Sequence, residues 1–245
     1  MVAVAETYFD QWIARHYAQL WPELFDPVVL DPTVDFLAEL AGAGPALEFG
    51  IGTGRVAVPL SSRGVVVQGI ELSPAMVDEL RGDGADNVTT VVGDFATTRV
   101  PGSFSLVFLL RNTITNLTTQ DEQVQVFRNA AAHLQVGGYF VVENYIPALR
   151  LLPPGQTSRV FQSTLDHVGI EEYDFVTQIA ISRHWWVIED KLRTFESPHR
   201  YVWPAELDLM AELAGMKLRE RWADFEHSAF TPDSESHVSV REKVA

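Results

Sequence analysis

The segment Glu48-Phe49-Gly50-Ile51-Gly52-Thr53-Gly54-Arg55 constrains this chain more than any other stretch. Three glycines at alternate positions suit neither a strand nor a helix, because ordering glycine costs the most backbone entropy. They do permit a tight turn and let a ligand approach the backbone closely. The mostly apolar run 46–49 precedes them, so the segment reads as a strand that ends in a glycine turn and leads into a helix. In an open parallel sheet such a turn lies at the carboxyl ends of the strands, where ligands bind.

From Pro45 onward short apolar runs alternate with helical stretches, the pattern of a parallel sheet covered by helices on both faces. Strands are expected over 46–49, 65–70, 88–92, 104–110 and 139–143, and two late strands over 216–222 and 237–241 pair as a hairpin. Ser73-Pro74 supplies an N-cap and a first helical residue, and Thr119 with Glu122 forms a capping box for a helix reaching about Leu134. Pro204 to Ala214 reads as a helix with Leu207, Met210 and Leu213 on one face. The fold class is therefore α/β: a doubly wound, mostly parallel seven-stranded sheet with a final antiparallel hairpin. The aromatic-rich segments 175–188 and 192–203, joined by Glu189-Asp190-Lys191, add an antiparallel β lid. Upstream, Tyr8, Trp12, Ile13, Tyr17, Leu20 and Trp21 recur at helical spacing, and Asp31-Pro32 opens a second helix through about Leu40.

Two acids give the glycine turn a partner. Glu71 closes the second strand, 17 positions beyond Gly54, where a carboxylate accepts hydrogen bonds from both hydroxyls of a ribose. Gly93-Asp94-Phe95 follows the third strand, placing a carboxylate for an exocyclic adenine amine and a ring to cover the base. Each residue alone has an ordinary structural explanation as a turn former, a surface acid or a core aromatic. Their common spacing describes one nucleoside pocket.

An acidic residue followed by G-x-G-x-G, as Glu48, Gly50, Gly52 and Gly54 stand here, resembles the first motif of the class I, Rossmann-like methyltransferases that use S-adenosylmethionine. The resemblance covers residues 45–145 and reaches, less specifically, to the helix at Pro204 and the last hairpin. It implies S-adenosylmethionine as cofactor and S-adenosylhomocysteine as product. It places Glu48 and the loop of Gly50, Gly52, Thr53, Gly54 and Arg55 near the methionine part, Glu71 on the ribose, and Asp94 with Phe95 on the adenine. Leu72 and Met76 cover the other adenine face, and Asn112, in Leu110-Arg111-Asn112-Thr113 after the fourth strand, faces the sulfonium and the acceptor. The expected division is a helical cap over 1–44, a Rossmann-like domain over 45–149 and 204–245, and the lid inserted over 150–203. The expected reaction is methyl transfer to N or O of a small molecule, in an arrangement similar to enzymes that modify sugars and secondary metabolites.

Composition narrows the partners. The 33 acidic and 18 basic residues give a net charge of −15, which repels a phosphate backbone, and the aspartate-proline-proline-type signature of enzymes that methylate amino groups of DNA or protein glutamine is absent after the fourth strand. A small-molecule acceptor is expected, with no nucleic acid and no membrane partner. No apolar stretch is long enough to span a bilayer, there is no leader-like segment, and the expected location is the cytoplasm. With no cysteine there is no thiolate ligand, and the seven histidines lack i, i+4 metal spacing, so no metal is expected. The rivals are a non-catalytic S-adenosylmethionine-binding protein and an NAD-dependent oxidoreductase, whose usual G-x-G-x-x-G is missing. The acceptor, a catalytic base and the oligomeric state, a homodimer included, are left open by the residues.

Overall fold

Ala46–Phe49 forms β1, whose four residues are all buried, as a strand covered on both faces must be. In this computed structural model, which describes residues 9–82 and 88–244, β1 sits inside a seven-stranded sheet. It pairs in parallel with β2 (Val67–Glu71) on one side and β4 (Phe104–Leu109) on the other. Beyond β2 lies β3 (Val88–Val92), and beyond β4 lies β5 (Leu134–Tyr145), both parallel to their neighbours. The strands Ser236–Lys243 (β11) and Met216–Trp222 (β10) extend the β5 edge antiparallel, giving the order β10-β11-β5-β4-β1-β2-β3. The expected seven strands and final hairpin are all present.

Period-two alternation splits the core into two layers. Leu47 and Phe49 point toward α5 (Gln120–His133) and α6 (Pro204–Leu213), packing with Phe127, Leu207 and Met210. Ala46 points the other way, into a layer with Val34 and Leu37 of α2 (Pro27–Ala41) and Leu60 of α3 (Ala57–Ser62). Chain order reverses between β1 and β4, so their carboxyl ends diverge and leave a crevice, the place where sheets of this kind bind ligands.

The capping signals act as read. The Ser73 hydroxyl accepts from the Met76 amide at 3.3 Å at the start of α4 (Pro74–Gly82), and both bonds of the Thr119–Glu122 capping box are formed. The start of α2 differs from expectation. Asp26, not Asp31, caps it, accepting from the Val28 amide at 2.9 Å, and Pro32 lies inside the helix. Both Asp-Pro pairs carry the same start signal. The upstream one prevails because the carbonyl that loses its donor at Pro32 belongs to Val28, which is 79% exposed and open to water. In α6 the buried face is Leu207, Met210 and Ala211, whereas Leu213 is exposed.

The inserted segment is a four-stranded antiparallel meander, β6 (Ser158–Ser163), β7 (His167–Asp174), β8 (Ile179–Ile188) and β9 (Lys191–Arg200). The sequence marks β8 and, across its turn, β9, whereas β6 and β7 lack the aromatic and β-branched run that signals β8. Glu189 and Asp190 turn the β8–β9 hairpin with φ of +51° and +58°, the left-handed pair that a two-residue hairpin needs, here without glycine. At the N-terminus α1 (Gln11–Leu20), capped by Asp10, packs Ile13, Ala14 and Leu20 against Met76 and Trp186, joining the meander to the start of α4.

Candidate active site

The crevice begins at the glycine turn. Gly50, Gly52 and Gly54 take φ of +68°, +57° and +82°, so each occupies the left-handed region that side chains other than glycine's disfavour. Gly50, Gly52, Thr53 and Arg55 line the crevice with Glu48. Glu71, Leu72 and Met76 form the wall from the end of β2, and Asp94 and Phe95 the wall after β3. The remaining two expected site residues lie elsewhere. A Cβ on Gly54 would stand 2.1 Å from Leu80 Cδ1, so this glycine lets α4 pack against the turn instead of opening space for a ligand. Asn112 lines the adjoining chamber, and its Oδ1 accepts from the Tyr145 amide at 2.6 Å.

The acids differ in how they are held. Glu71 accepts from the Gly52 amide through Oε2 and from the Ser73 amide through Oε1, each at 2.9 Å, clasping the glycine turn to the start of α4. Burial raises its pKa, and these amides partly offset the rise. Glu48 is buried, and its Oε2 has no hydrogen-bond partner among the described residues. Burial pushes its pKa well above the usual carboxylate value, Arg55 pulls it down, and Glu71 pushes it up. Asp94 caps its own turn, accepting from the Ala96 amide at 2.8 Å. Phe95 stacks on Phe49 at 5.9 Å between centroids and 17° between planes, serving core and crevice at once. Met76 does the same from the α1 side.

A larger chamber of about 1140 Å³ adjoins the crevice, between α1, the β4–β5 end of the main sheet and the inner face of the meander. Phe9, Tyr17, Arg111, Thr113 and Asn116 border both spaces, so the two are continuous. Arg111 and Asn112 carry consecutive positive φ values of +54° and +58°, a strained pair that turns the chain after β4 and aims both residues at the chamber. Of the aromatic residues on α1, β5 and the meander side, Tyr17, Tyr145 and Trp186 line the chamber, while Trp12, Trp185, Tyr201 and Trp203 do not. Trp185 neighbours Trp186 on a strand, so the two point to opposite faces. Tyr8 lies outside the described residues. Phe9, Asn116, Glu171 and His167 were not found from sequence, because nothing in the spacing of an isolated aromatic or of a polar strand marks the face it presents.

His184 and His199 are both engaged in side-chain contacts. His184 Nδ1 lies 2.9 Å from His167 Nε2, and its ring stacks on Trp186 at 4.7 Å. His199 reaches Ser197 at 2.8 Å and Thr115, beyond β4, at 3.4 Å. Burial lowers both to about 4, with the His167 and His199 charges adding to the effect at His184. Both rings are therefore neutral near pH 7, and the chamber presents no imidazolium. The unfolded chain takes up these protons near 6.5 while the folded one resists until about 4. The stability they confer is thus complete above 6.5 and lost as pH falls toward 4, by about 2 kcal/mol per histidine at pH 5. In urea unfolding at pH 7.5 and pH 5, His199→Phe is expected to lose about 2 kcal/mol less than the parent protein between the two conditions. Glu48 and Glu71, shifted in the opposite sense, are common to both proteins and cancel. An equal pH dependence would mean that His199 titrates normally in the folded state.

Among the described residues no three His, Asp or Glu side chains are placed to hold a metal ion, and no helix is long and apolar enough to cross a membrane.

Comparison with known proteins agrees with this layout. The family model described as a methyltransferase domain matches residues 46–138, the span from β1 to β5. The structure of the CcbJ methyltransferase from Streptomyces caelestis is 39% identical in sequence, with a TM-score of 0.86, over 98% of this chain and 99% of that one. The cypemycin N-terminal methyltransferase of a Streptomyces species is 25% identical over 236 residues, 90% of this chain and 95% of that protein. The sugar N-methyltransferase KedS8 from Streptoalloteichus shares the fold, with a TM-score of 0.66 at 18% identity over 99% of this chain and 95% of that one. Likeness over nearly the whole length, joined to a glycine turn clasped by Glu71 at the switch point of the sheet, shows that the chain belongs to the class I S-adenosylmethionine-dependent methyltransferases.

Proposed function

We propose that this enzyme methylates an amine nitrogen of a small molecule held in the chamber between α1 and the four-stranded sheet. The observation that carries the reading is the shared wall of Phe9, Tyr17, Arg111, Thr113 and Asn116, which brings the two ligand spaces together at one point. The choice of nitrogen draws support from the relatives named for N-terminal and sugar N-methylation. A net charge of −15 favours a small acceptor over nucleic acid.

The residues of the crevice fit the cofactor. Glu71 retains acceptor capacity beyond its two amide bonds and takes the ribose hydroxyls. Asp94 and Phe95 take the adenine, with Leu72 and Met76 on its opposite face. The unpartnered Oε2 of Glu48 is an acceptor for the amino group of the methionine part, beside Gly50, Gly52, Thr53 and Arg55. When bound, S-adenosylmethionine supplies an electrophilic methyl carbon on a sulfonium. The chain's part is to bring a nitrogen lone pair into line with that carbon and exclude water, since positioning supplies much of the rate when the leaving group is already activated. Among the described residues, those of the 1–44 cap and of the 150–203 insertion enclose the acceptor, while those of 45–149 and 204–245 form the domain that holds the cofactor. Neutral His184 and His199 add no positive charge to that of the arginines on the chamber wall, Arg111, Arg150 and Arg159.

Transfer from methyl-labelled S-adenosylmethionine to a panel of primary and secondary amines, each paired with the matching alcohol, tests the reading. Labelled product from amines alone is expected. Label found only in the alcohols would overturn the nitrogen assignment, and cofactor binding without turnover on any acceptor would overturn the assignment of the chamber.

A further inference from the structure

The chamber holds polar groups that methyl transfer does not use. At the end bounded by β6 and β7, Tyr145, Arg159, Glu171 and Tyr173 all line its wall. Neither Tyr145 Oη nor Arg159 Nε, both buried, has a hydrogen-bond partner among the described residues. Arg159 Nε lies 3.6 Å from Glu171 Oε2, close enough to pair in charge but not to bond, and the Tyr173 hydroxyl donates to that same oxygen. Leaving a buried donor unmet costs free energy, so two such donors converging on one cavity mark a place where a ligand supplies the acceptors.

We propose that Tyr145, Arg159, Glu171 and Tyr173 form a subsite for a neutral polyhydroxyl ring, such as a glycosyl unit, carried by the acceptor. The proposal rests on the assignment of the chamber to the acceptor. Adjacent hydroxyls both accept and donate, which matches a pair of unmet donors beside a carboxylate with lone pairs to spare. The charges of Arg159 and Glu171 balance, so the subsite selects neither a carboxylate nor an ammonium. Burial, followed by the neighbouring Glu171 charge, pushes the Tyr145 pKa well up, and its hydroxyl keeps its proton as a donor. Tyr145 is also tied to the reacting end. Its amide donates to Asn112 Oδ1, and Asn112 stands between Arg111 and Thr113 of the wall shared with the crevice. A ring seated on Tyr145 is thereby indexed to the strained turn after β4.

Saturation-transfer NMR on the complex with S-adenosylhomocysteine tests this, with glucosamine and cyclohexylamine as probes, both amines on six-membered rings. Glucosamine is expected to bind about tenfold tighter than cyclohexylamine. Tyr145→Phe and Arg159→Met are each expected to shrink that ratio by about threefold to tenfold, with S-adenosylhomocysteine affinity unchanged in calorimetry. Equal binding of the two amines, binding of neither, or a preference that survives both substitutions would overturn the subsite. Failure of S-adenosylhomocysteine itself to bind would instead overturn the parent reading, and the subsite with it.

Discussion

Glu71→Ala is expected to weaken S-adenosylmethionine binding by about a hundredfold to a thousandfold in calorimetry. A hydrogen bond to a charged group contributes roughly 1.5–3 kcal/mol, and two ribose hydroxyls lose that carboxylate together. The substitution also strips the Gly52 and Ser73 amides of their acceptor, so the glycine turn loses its tie to α4 and the pocket loses preorganisation. Glu71→Gln keeps a single acceptor oxygen and is expected to fall between the two. Asp94→Ala should cost less, about tenfold, because that carboxylate already spends Oδ1 on the Ala96 amide. S-adenosylhomocysteine should follow the same order, and NAD should bind none of the proteins. Affinity of Glu71→Ala within about threefold of the parent would remove Glu71 from the ribose.

How far this site could be read in advance depended on whether a residue's role is local. Gly50, Gly52, Glu71 and Asp94 act where the chain turns at strand ends, and turn geometry is written in short-range sequence. Gly54 carried the same local signal, but its reason lies across the fold in Leu80, twenty-six positions later, which no spacing announces. Asn112, expected to face the sulfonium and the acceptor, lines the chamber, and a non-glycine residue gives no notice of the positive φ it shares with Arg111. The meander shows the same limit. β8 advertises itself with Ile179, Ile181, Trp185, Trp186, Val187 and Ile188, whereas β6 and β7, which contribute Arg159 and Glu171, mix apolar and polar residues without such a run. The central strands were legible because burial on both faces leaves a mostly apolar run, broken only by Glu48 in β1 and Ser105 in β4.

Asp208→Ala is expected to destabilise the fold by about 3–5 kcal/mol while leaving S-adenosylhomocysteine affinity intact, as read by urea unfolding and calorimetry. Asp208, on α6, accepts from Arg241 of β11 at 2.8 Å and from Arg221 of β10 at 2.6 Å, both at Oδ1. Arg241 is fully buried, with its guanidinium over the Phe127 ring at 5.5 Å. Burial drives the Arg241 pKa down to about 10, and the Asp208 charge is what opposes that fall. Removing the carboxylate strands one fully buried cation, Arg241, and leaves a second, Arg221, beside it without its partner. The lesion sits at the β10–β11 edge, separated from β1 by β5 and β4, which is why ligand affinity should survive. The double substitution Asp208→Leu with Arg241→Met should recover most of the loss, since apolar residues of similar size often replace a buried pair at little cost. If Asp208→Ala alone costs under about 1 kcal/mol, the pair contributes no more than an exposed one, and Arg241 must find solvent in the native state.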